Sequence, residues 1–225
     1  MIAVVDYDTG NLRSVADALR RAGAEFTLTA DAALLRAADR VILPGVGEAS
    51  SAMAKLRERG LDEVLPTLTC PVLGICIGMQ LMCLSSEEGD ATCLGIFPTR
   101  VRRLDADPDF FSVCGGLPAL PDTDSRTAAP TGTQAVSRLK VPHVGWDTIS
   151  ALRTPLFAGL PEESYVYYVH SYAADPCAST IAATEYGRRF SAALARDNFY
   201  GTQFHPEKSG ATGATIIGNF LKLQR

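Results

Sequence analysis

Short apolar runs separated by helical patterns dominate the first third of the chain. Four runs are rich in apolar or β-branched residues and too short for helices: IAVVD (2–6), FTLT (26–29), RVILPG (40–45) and PVLGI (71–75). Apolar residues recur at the spacing of one helix face at Leu12, Val15, Ala16 and Leu19, and a second helix is predicted from about Ala49 to Arg59, ending at Gly60. Strands that alternate with helices form βαβ units with parallel strands. The first half is therefore predicted to be a doubly wound α/β sheet.

From Gly95 onward the pattern changes to consecutive strand-like segments. They are GIFPTRVRRL (95–104), VGWDTIS (144–150), SYVYYVHSY (164–172), STIAATEY (179–186), RFSAALARD (189–197) and FYGTQF (199–204). Because most of these segments have no helix between them, we expect a mixed or antiparallel extension of the sheet. The last segment, 209–223, predicts a closing amphipathic helix, since one stripe carries Ile216, Ile217, Phe220 and Leu221.

Residues 105–138 interrupt this pattern. They show little periodicity and many Pro, Gly, Asp, Ser and Thr residues, which is typical of a surface insertion. The whole chain has 225 residues, of which 47% are hydrophobic and 20% charged, enough for one buried core. We predict a single domain over 1–225 with a surface insertion at 105–138.

Charge and cysteine usage exclude several classes of protein. A net charge of −4 does not favour nucleic-acid binding, which needs clustered Lys and Arg. No signal-peptide pattern and no run of about 18 apolar residues is visible, so we expect a cytoplasmic protein with no membrane partner. The six cysteines form no C-x-x-C pair or zinc-type cluster, so reduced thiols and no metal site are expected.

One cysteine lies where a nucleophile would. Gly74, Cys76 and Gly78 form G-x-C-x-G directly after an apolar run and directly before a helical pattern, as in a nucleophile elbow. Glycine suits both flanking positions because side chains there would collide. The following helix directs its amides at the sulfur, which favours the thiolate, and the N–H of Ile77 points to where an acyl oxyanion would form. The other five cysteines lack this context and are interpreted as small buried residues.

A cysteine nucleophile needs a histidine, and the chain has only His143, His170 and His205. Pro206 favours an extended conformation for His205, and in an extended segment residues i and i+2 project to the same side. Glu207 is therefore predicted to orient one ring nitrogen of His205 while the other faces Cys76. Ser209 is interpreted as the N-cap of the final helix.

Two other cysteine- or serine-type arrangements fit less well. A papain-type enzyme would carry its cysteine near the N-terminus in a C-G-S-C-W-like context, which is absent. An α/β-hydrolase orders its triad nucleophile, acid, histidine, whereas here the histidine precedes the acid.

The segments GICIGMQL (74–81) and FHPEKS (204–209) resemble the class I glutamine amidotransferases. The resemblance spans the chain outside 105–138 and implies a flavodoxin-like open mixed sheet with helices on both faces. It also implies a Cys-His-Glu triad that releases ammonia from L-glutamine through a γ-glutamyl thioester, without a cofactor. In that family the backbone of the oxyanion loop and a Gln four residues after the cysteine hold the substrate, here Gly47 and Gln80.

Further motifs look like those of the glutaminase subunits of imidazole glycerol phosphate synthases, which act in histidine biosynthesis. They are GNLRSV (10–15), PGVG (44–47), PHVGW (142–146) and YYVHSY (167–172). On this likeness the oxyanion amides belong to Val46 and Ile77, and the glutamine pocket includes His170 and Ser171. The residues that would face the partner, a separate (β/α)8-barrel cyclase subunit, are Asn11, Trp146, Tyr167 and Lys208.

The chain departs from that family at Glu48 and Ala49, where an aromatic residue usually follows PGVG, and at Asp147, where Asn is usual. The residue patterns also leave other functions open. These are an amidotransferase or γ-glutamyl hydrolase of another pathway, and a catalytically silent binding module with the same fold. Trp146, His143 and His170, taken singly, are equally compatible with roles in the core.

Overall fold

Thirteen strands and six α-helices make up the described part of the chain. The computed structural model describes residues 1–8, 12–106 and 139–224. The strands are β1 (Ile2–Val5), β2 (Phe26–Thr29), β3 (Arg40–Leu43), β4 (Val72–Ile75), β5 (Ser85–Ser86), β6 (Ala91–Thr92), β7 (Arg100–Arg103), β8 (His143–Ile149), β9 (Ser164–His170), β10 (Tyr172–Ala174), β11 (Thr180–Tyr186), β12 (Arg188–Arg196) and β13 (Phe199–Thr202). The α-helices are α1 (Leu12–Arg21), α2 (Ala32–Ala37), α3 (Ala49–Glu58), α4 (Leu61–Val64), α5 (Ile77–Leu81) and α6 (Gly210–Phe220). Short 3-10 helices span Leu65–Thr67, Leu104–Ala106, Pro155–Phe157 and Pro206–Lys208.

The central sheet has seven strands in the order β11-β12-β13-β4-β3-β1-β2. From β2 to β13 the neighbours are parallel, so this part has the 2-1-3-4-5 order of flavodoxin-like sheets. All residues of β1 and β4 are buried, which explains their continuous apolar sequences. The prediction of an open, flavodoxin-like α/β sheet is confirmed.

Helices cover both faces of this sheet. The chain moves outward from β1 to β2 through α1, but in the opposite direction from β3 to β4 through α3 and α4. Because such crossovers are right-handed, opposite directions place the helices on opposite faces. In agreement, α1 contacts α6, whereas α3 contacts α5.

The prediction that the strand-like segments after Gly95 extend the central sheet is right for only half of them. β13 joins the sheet parallel to β4, and β12 and β11 continue it antiparallel. In contrast, β7 and β10 belong to a four-stranded sheet with β5 and β6, and β8 pairs only with β9 in a two-stranded ribbon. One isolated bridge, between Ser150 and Ala183, links the end of this ribbon to the central sheet.

The final helix packs as predicted, and Ser209 occupies its predicted N-cap position but makes no side-chain capping bond. Ile216, Ile217 and Phe220 are buried. The Ser209 hydroxyl makes no capping bond to α6; it donates to the His205 carbonyl at 2.7 Å and accepts from the Tyr167 amide at 3.0 Å. Ser209 thereby ties β9 to the segment before α6. Because its single hydroxyl is used in these two bonds, it does not cap the helix.

Two general features of the described residues bear on the chemistry. No helix in the ranges 1–8, 12–106 and 139–224 is both long and apolar enough to cross a membrane. Five cysteines within those ranges form no disulfide bond: Cys70, Cys76, Cys83, Cys93 and Cys177. The insertion predicted at 105–138 lies almost entirely outside the described residues, as does Asn11.

Helix α5 lies unusually close to the strands beneath it. A Cβ atom added to Gly78 would lie 1.9 Å from the carbonyl oxygen of Leu43 in β3. A Cβ atom added to Gly74 in β4 would lie 2.7 Å from the backbone of Gly78. Because both contacts are to backbone, no side-chain rotation can relieve them. The pair of glycines predicted around Cys76 is thus required by the approach of α5 to the sheet.

We expect Gly78→Ala to lower the free energy of unfolding by about 3 kcal/mol, since the new methyl group forces α5 away from β3. The matched control is Gly218→Ala in α6, where an added Cβ has nothing within 4 Å. That change should be neutral or stabilise by up to about 1 kcal/mol, because Ala favours helix. Urea unfolding followed by circular dichroism measures both, and equal stabilities would contradict the packing argument.

Candidate active site

Cys76 lies at the sharp turn between β4 and α5. Its backbone has φ 53° and ψ −108°, a conformation that residues with a side chain rarely adopt. The thiol is buried, and its sulfur lies 3.9 Å from the carbonyl oxygen of Val169. Strained nucleophiles of this kind are held by the packing around them, here the contact of α5 with β3 and β4. The structure thus has the elbow that the sequence predicts.

His205 and Glu207 are joined by a buried hydrogen bond. His205 Nδ1 lies 2.8 Å from Glu207 Oε1, and both residues are buried. The backbone of His205 is extended, with φ −96° and ψ 96°, and its amide donates to the Tyr167 carbonyl. Pro206 to Lys208 form a 3-10 turn, however, so the turn and not an extended segment brings Glu207 beside the ring. The predicted pairing is present, but its geometric explanation was wrong.

The surroundings of His205 stabilise its protonated form. Burial lowers its pKa, but hydrogen bonds to the side chains of Cys76 and Glu207, together with their charges, raise the pKa to about 10. The imidazole is therefore protonated at neutral pH and is placed between the sulfur and the carboxylate. A protonated ring beside a nucleophile can donate a proton to a leaving group.

A cavity of about 300 Å³ opens in front of Cys76. His205 also lines it, whereas Glu207 lies behind the ring and does not. All six residues predicted for the oxyanion site and the glutamine pocket line the same cavity: Val46, Gly47, Ile77, Gln80, His170 and Ser171. The volume is at the lower end of the range for small-molecule sites, roughly 300–1,000 Å³, and suits an amino acid.

Gln80 is fixed by two acceptors. Its Nε2 donates to the Tyr172 carbonyl at 2.9 Å and to Gln203 Oε1 at 3.0 Å. Its Oε1 is buried and has no hydrogen-bond partner among the described residues. A buried acceptor without a partner is costly unless a ligand satisfies it. Gln80 lines the cavity, but this acceptor is itself covered by the surrounding atoms.

His170 is neutral and structurally constrained. Its Nδ1 donates to the Tyr172 carbonyl at 2.9 Å, and its Nε2 lies 3.1 Å from His143 Nδ1. Burial, and then the neighbouring His143, lower its pKa to about 3. His170 thus lines the cavity and also belongs to the hydrogen-bonded core, and its contact with glutamine stays a prediction.

The comparisons with known proteins agree with this geometry. A family model described as "Glutamine amidotransferase class-I" matches residues 3–223. The chain belongs to the class I glutamine amidotransferase family. Its amino-acid sequence is 49% identical to imidazole glycerol phosphate synthase subunit HisH of Bacteroides fragilis, 47% to that of Bacteroides thetaiotaomicron and 43% to that of Shewanella oneidensis. These alignments cover 99% of this chain and 99%, 99% and 96% of the relatives.

Solved structures in the class I amidotransferase family share the fold. A glutamine amidotransferase from Thermotoga maritima superposes with a TM-score of 0.58 at 16% identity, covering 96% of this chain and 80% of that one. PurLQS from the same organism gives a TM-score of 0.60 at 16% identity, with 98% and 96% covered. At such low identity these structures support the fold alone.

Two residues of this amidotransferase site escaped the sequence analysis. Glu88 lines the cavity, and its Oε2 accepts from the Ala49 amide at 3.1 Å. Burial raises the pKa of Glu88, the Ala49 hydrogen bond opposes this, and Glu48 adds to it. Gln203 is fully buried, and its Nε2 lies 3.6 Å from Cys76 Sγ. Gln203 lies two residues before His205, whose backbone is extended, so alternation on that side of His205 would have identified it. Nothing in the sequence distinguishes Glu88 from an ordinary turn residue.

The residues predicted to face a partner occupy different places. Trp146 is 55% exposed and Tyr167 is half-buried, on the same side of the β8–β9 ribbon. Lys208 is exposed and lines the cavity in front of Cys76. Asp147, the departure next to Trp146, faces inward, where its Oδ2 lies 3.3 Å from His143 Nε2.

We expect Glu207→Gln to lower the pKa of His205, because the carboxylate that stabilises the charged ring is removed. The wild-type ring should stay protonated up to about pH 10, whereas the variant should lose its proton at lower pH. Imidazole chemical shifts measured by NMR against pH report this directly. The control is Glu185→Gln, whose side chain is 75% exposed; the same His205 titration in wild type and Glu207→Gln would contradict the assignment.

Proposed function

We propose that this chain is the glutaminase subunit of an imidazole glycerol phosphate synthase, which hydrolyses L-glutamine and passes the ammonia to a cyclase subunit in histidine biosynthesis. The observation that carries the proposal is the single cavity that joins Cys76, His205 and all the residues predicted to bind glutamine. Full-length relatives named as HisH subunits support the choice of pathway. A cytoplasmic location remains a prediction from the sequence.

The proposed reaction begins with attack of the Cys76 sulfur on the side-chain amide carbon of glutamine. A carbon–sulfur bond forms, and the carbonyl electron pair moves to the oxygen, which the amides of Val46 and Ile77 are proposed to stabilise. The oxyanion then collapses and the carbon–nitrogen bond breaks, while His205 gives its proton to the departing nitrogen. Ammonia leaves and a γ-glutamyl thioester remains on Cys76.

Water completes the proposed cycle. Neutral His205 takes a proton from water, the resulting hydroxide attacks the thioester carbon, and the carbon–sulfur bond breaks to give the thiolate and a carboxylic acid, which releases its proton to solvent to become glutamate. Glu207 holds the ring through Nδ1 throughout both steps. It acts as a positioning residue, because it lies behind the ring and not in the cavity.

Charges in the cavity suit an amino acid substrate. Glu88 supplies a carboxylate in the wall, which is the group needed to bind an α-ammonium group. Gln80 also lines the cavity. We propose that Glu88 and Gln80 bind the amino-acid end of glutamine, and that Gly47, His170 and Ser171 contribute the remaining wall.

The proposed docking surface for the cyclase is the outer face of the β8–β9 ribbon. In register, Val144 lies opposite Val169, and Trp146 opposite Tyr167, with Tyr165 next along β9. Val144, Trp146 and Tyr165 are 55–61% exposed, and the Trp146 and Tyr167 rings meet edge to face at 5.8 Å. Contiguous exposed apolar groups of this kind are typical of protein interfaces. Val169 also lines the catalytic cavity, so the surface adjoins the place where ammonia is released.

We expect Cys76→Ala to abolish ammonia release from glutamine in the presence of a cyclase subunit and its ribulosyl-phosphate substrate. Cys83→Ala is the control, because Cys83 is equally buried but outside the cavity, and burial raises its pKa. It should retain at least half of the activity. Equal turnover by wild type and Cys76→Ala would exclude the proposed chemistry; steady hydrolysis by the lone chain without cyclase binding would favour an enzyme of another pathway.

We expect Trp146→Ala to weaken binding of the cyclase subunit roughly 30-fold, since exposed Trp side chains commonly dominate interfaces. The control is Leu34→Ala on α2, which is 41% exposed and lies outside the ribbon. Its affinity should match that of the wild type. Isothermal titration calorimetry measures both, and an unchanged affinity for Trp146→Ala would show that the partner binds elsewhere.

A further inference from the structure

Cys76 Sγ lies between one acceptor and two donors. The thiol hydrogen points to the Val169 carbonyl, 3.9 Å away. Gln203 Nε2 donates to the sulfur from 3.6 Å, and the His205 ring, whose pKa the Cys76 side chain raises, lines the same cavity as the sulfur. A thiol can use the carbonyl, but a thiolate can only accept, so the two donors stabilise the charged form.

The orientation of the Gln203 amide follows from a chain of hydrogen bonds. The Tyr172 carbonyl can only accept, so the group of Gln80 that faces it must be the NH2 group. The same NH2 group faces Gln203 at 3.0 Å, so Gln203 must present its oxygen there. Its NH2 group then necessarily points to Cys76 Sγ. Reversing the amide would bring two donors together at Gln80 and place an oxygen against the sulfur.

We propose that Gln203 is a further catalytic residue, whose side-chain amide donates a hydrogen bond to the Cys76 sulfur and stabilises the thiolate before and after the thioester exists. Gln80 and the Tyr172 carbonyl are positioning groups for that donor. The inference rests on the proposed glutaminase function and deepens it. It also links the glutamine pocket to the nucleophile, since Gln80 both lines the cavity and orients Gln203.

The substitution Gln203→Met tests this proposal, because Met has a similar length and no donor. Alkylation of Cys76 by iodoacetamide against pH needs no glutamine and reports the thiolate alone. We expect the midpoint of the profile to rise by about one pH unit and the rate at pH 7 to fall about tenfold. In the glutaminase assay with cyclase, kcat should fall about tenfold while KM changes less than twofold, a split that a general loss of structure would not give.

The control is Thr202→Val, at the neighbouring position of β13. Its hydroxyl is buried without a partner among the described residues, so the profile should match that of the wild type. If the Gln203→Met variant does not fold, the Gln80→Met variant is used instead. Loss of the Gln80 side-chain amide leaves the Gln203 amide without its orienting partner, so the midpoint of the alkylation profile should again rise. An unchanged midpoint in a folded variant overturns the proposal. Failure of the proposed glutaminase function would be seen separately, as an absence of ammonia release by the wild type. The alkylation profiles would still show whether Gln203 stabilises the thiolate.

Discussion

The contact between Gly78 and the Leu43 carbonyl determines the geometry of the whole site. Helix α5 lies so close to β3 and β4 that a methyl group at Gly78 has no room. This closeness forces the turn at Cys76 into its positive-φ conformation and lifts the sulfur from the carboxyl end of β4. Ligand sites of open parallel sheets lie at this end of the strands. The position of the cavity is thus a consequence of backbone packing, before any side chain is considered.

Strand β13 supplies the second half of the site because it lies beside β4. The two strands pair in parallel from Phe199 with Val72 to Thr202 with Ile75. Gln203 and His205 continue the chain from there, next to Cys76, and Ser209 ties this segment to β9. A sulfur that meets donors from β13 and an acceptor from β9 is sensitive to the relative position of three elements. Such a site depends on the fold more than on any one hydrogen bond.

Periodicity predicted the parallel sheet well because burial on both faces leaves a clear apolar run in each strand. The elbow at Cys76 was recognisable because its two glycines form a short local motif, although the contact that requires Gly78 is with Leu43 in another strand. The same reasoning failed for β7, β8, β9 and β10, since alternation shows which face of a strand is buried and not which strand it pairs with. Glu88 could not be found, because its place in the cavity depends on contacts with α3 that no local pattern records.

The β8–β9 ribbon connects the chemistry to the surface. Its inner face carries His143 and His170, which hydrogen-bond to each other in the core, and its outer face carries Trp146 and Tyr167. Val169, on the same strand, directs its carbonyl to the sulfur and its side chain outward. The ribbon is joined to the central sheet by the bridge at Ser150, by hydrogen bonds of Thr184 to Thr148 and Tyr168, and by the Ser209 and His205 hydrogen bonds to Tyr167. The acceptor that faces the sulfur thus belongs to the ribbon that carries the exposed apolar surface, whereas Gln203 and His205 directly follow β13 of the central sheet.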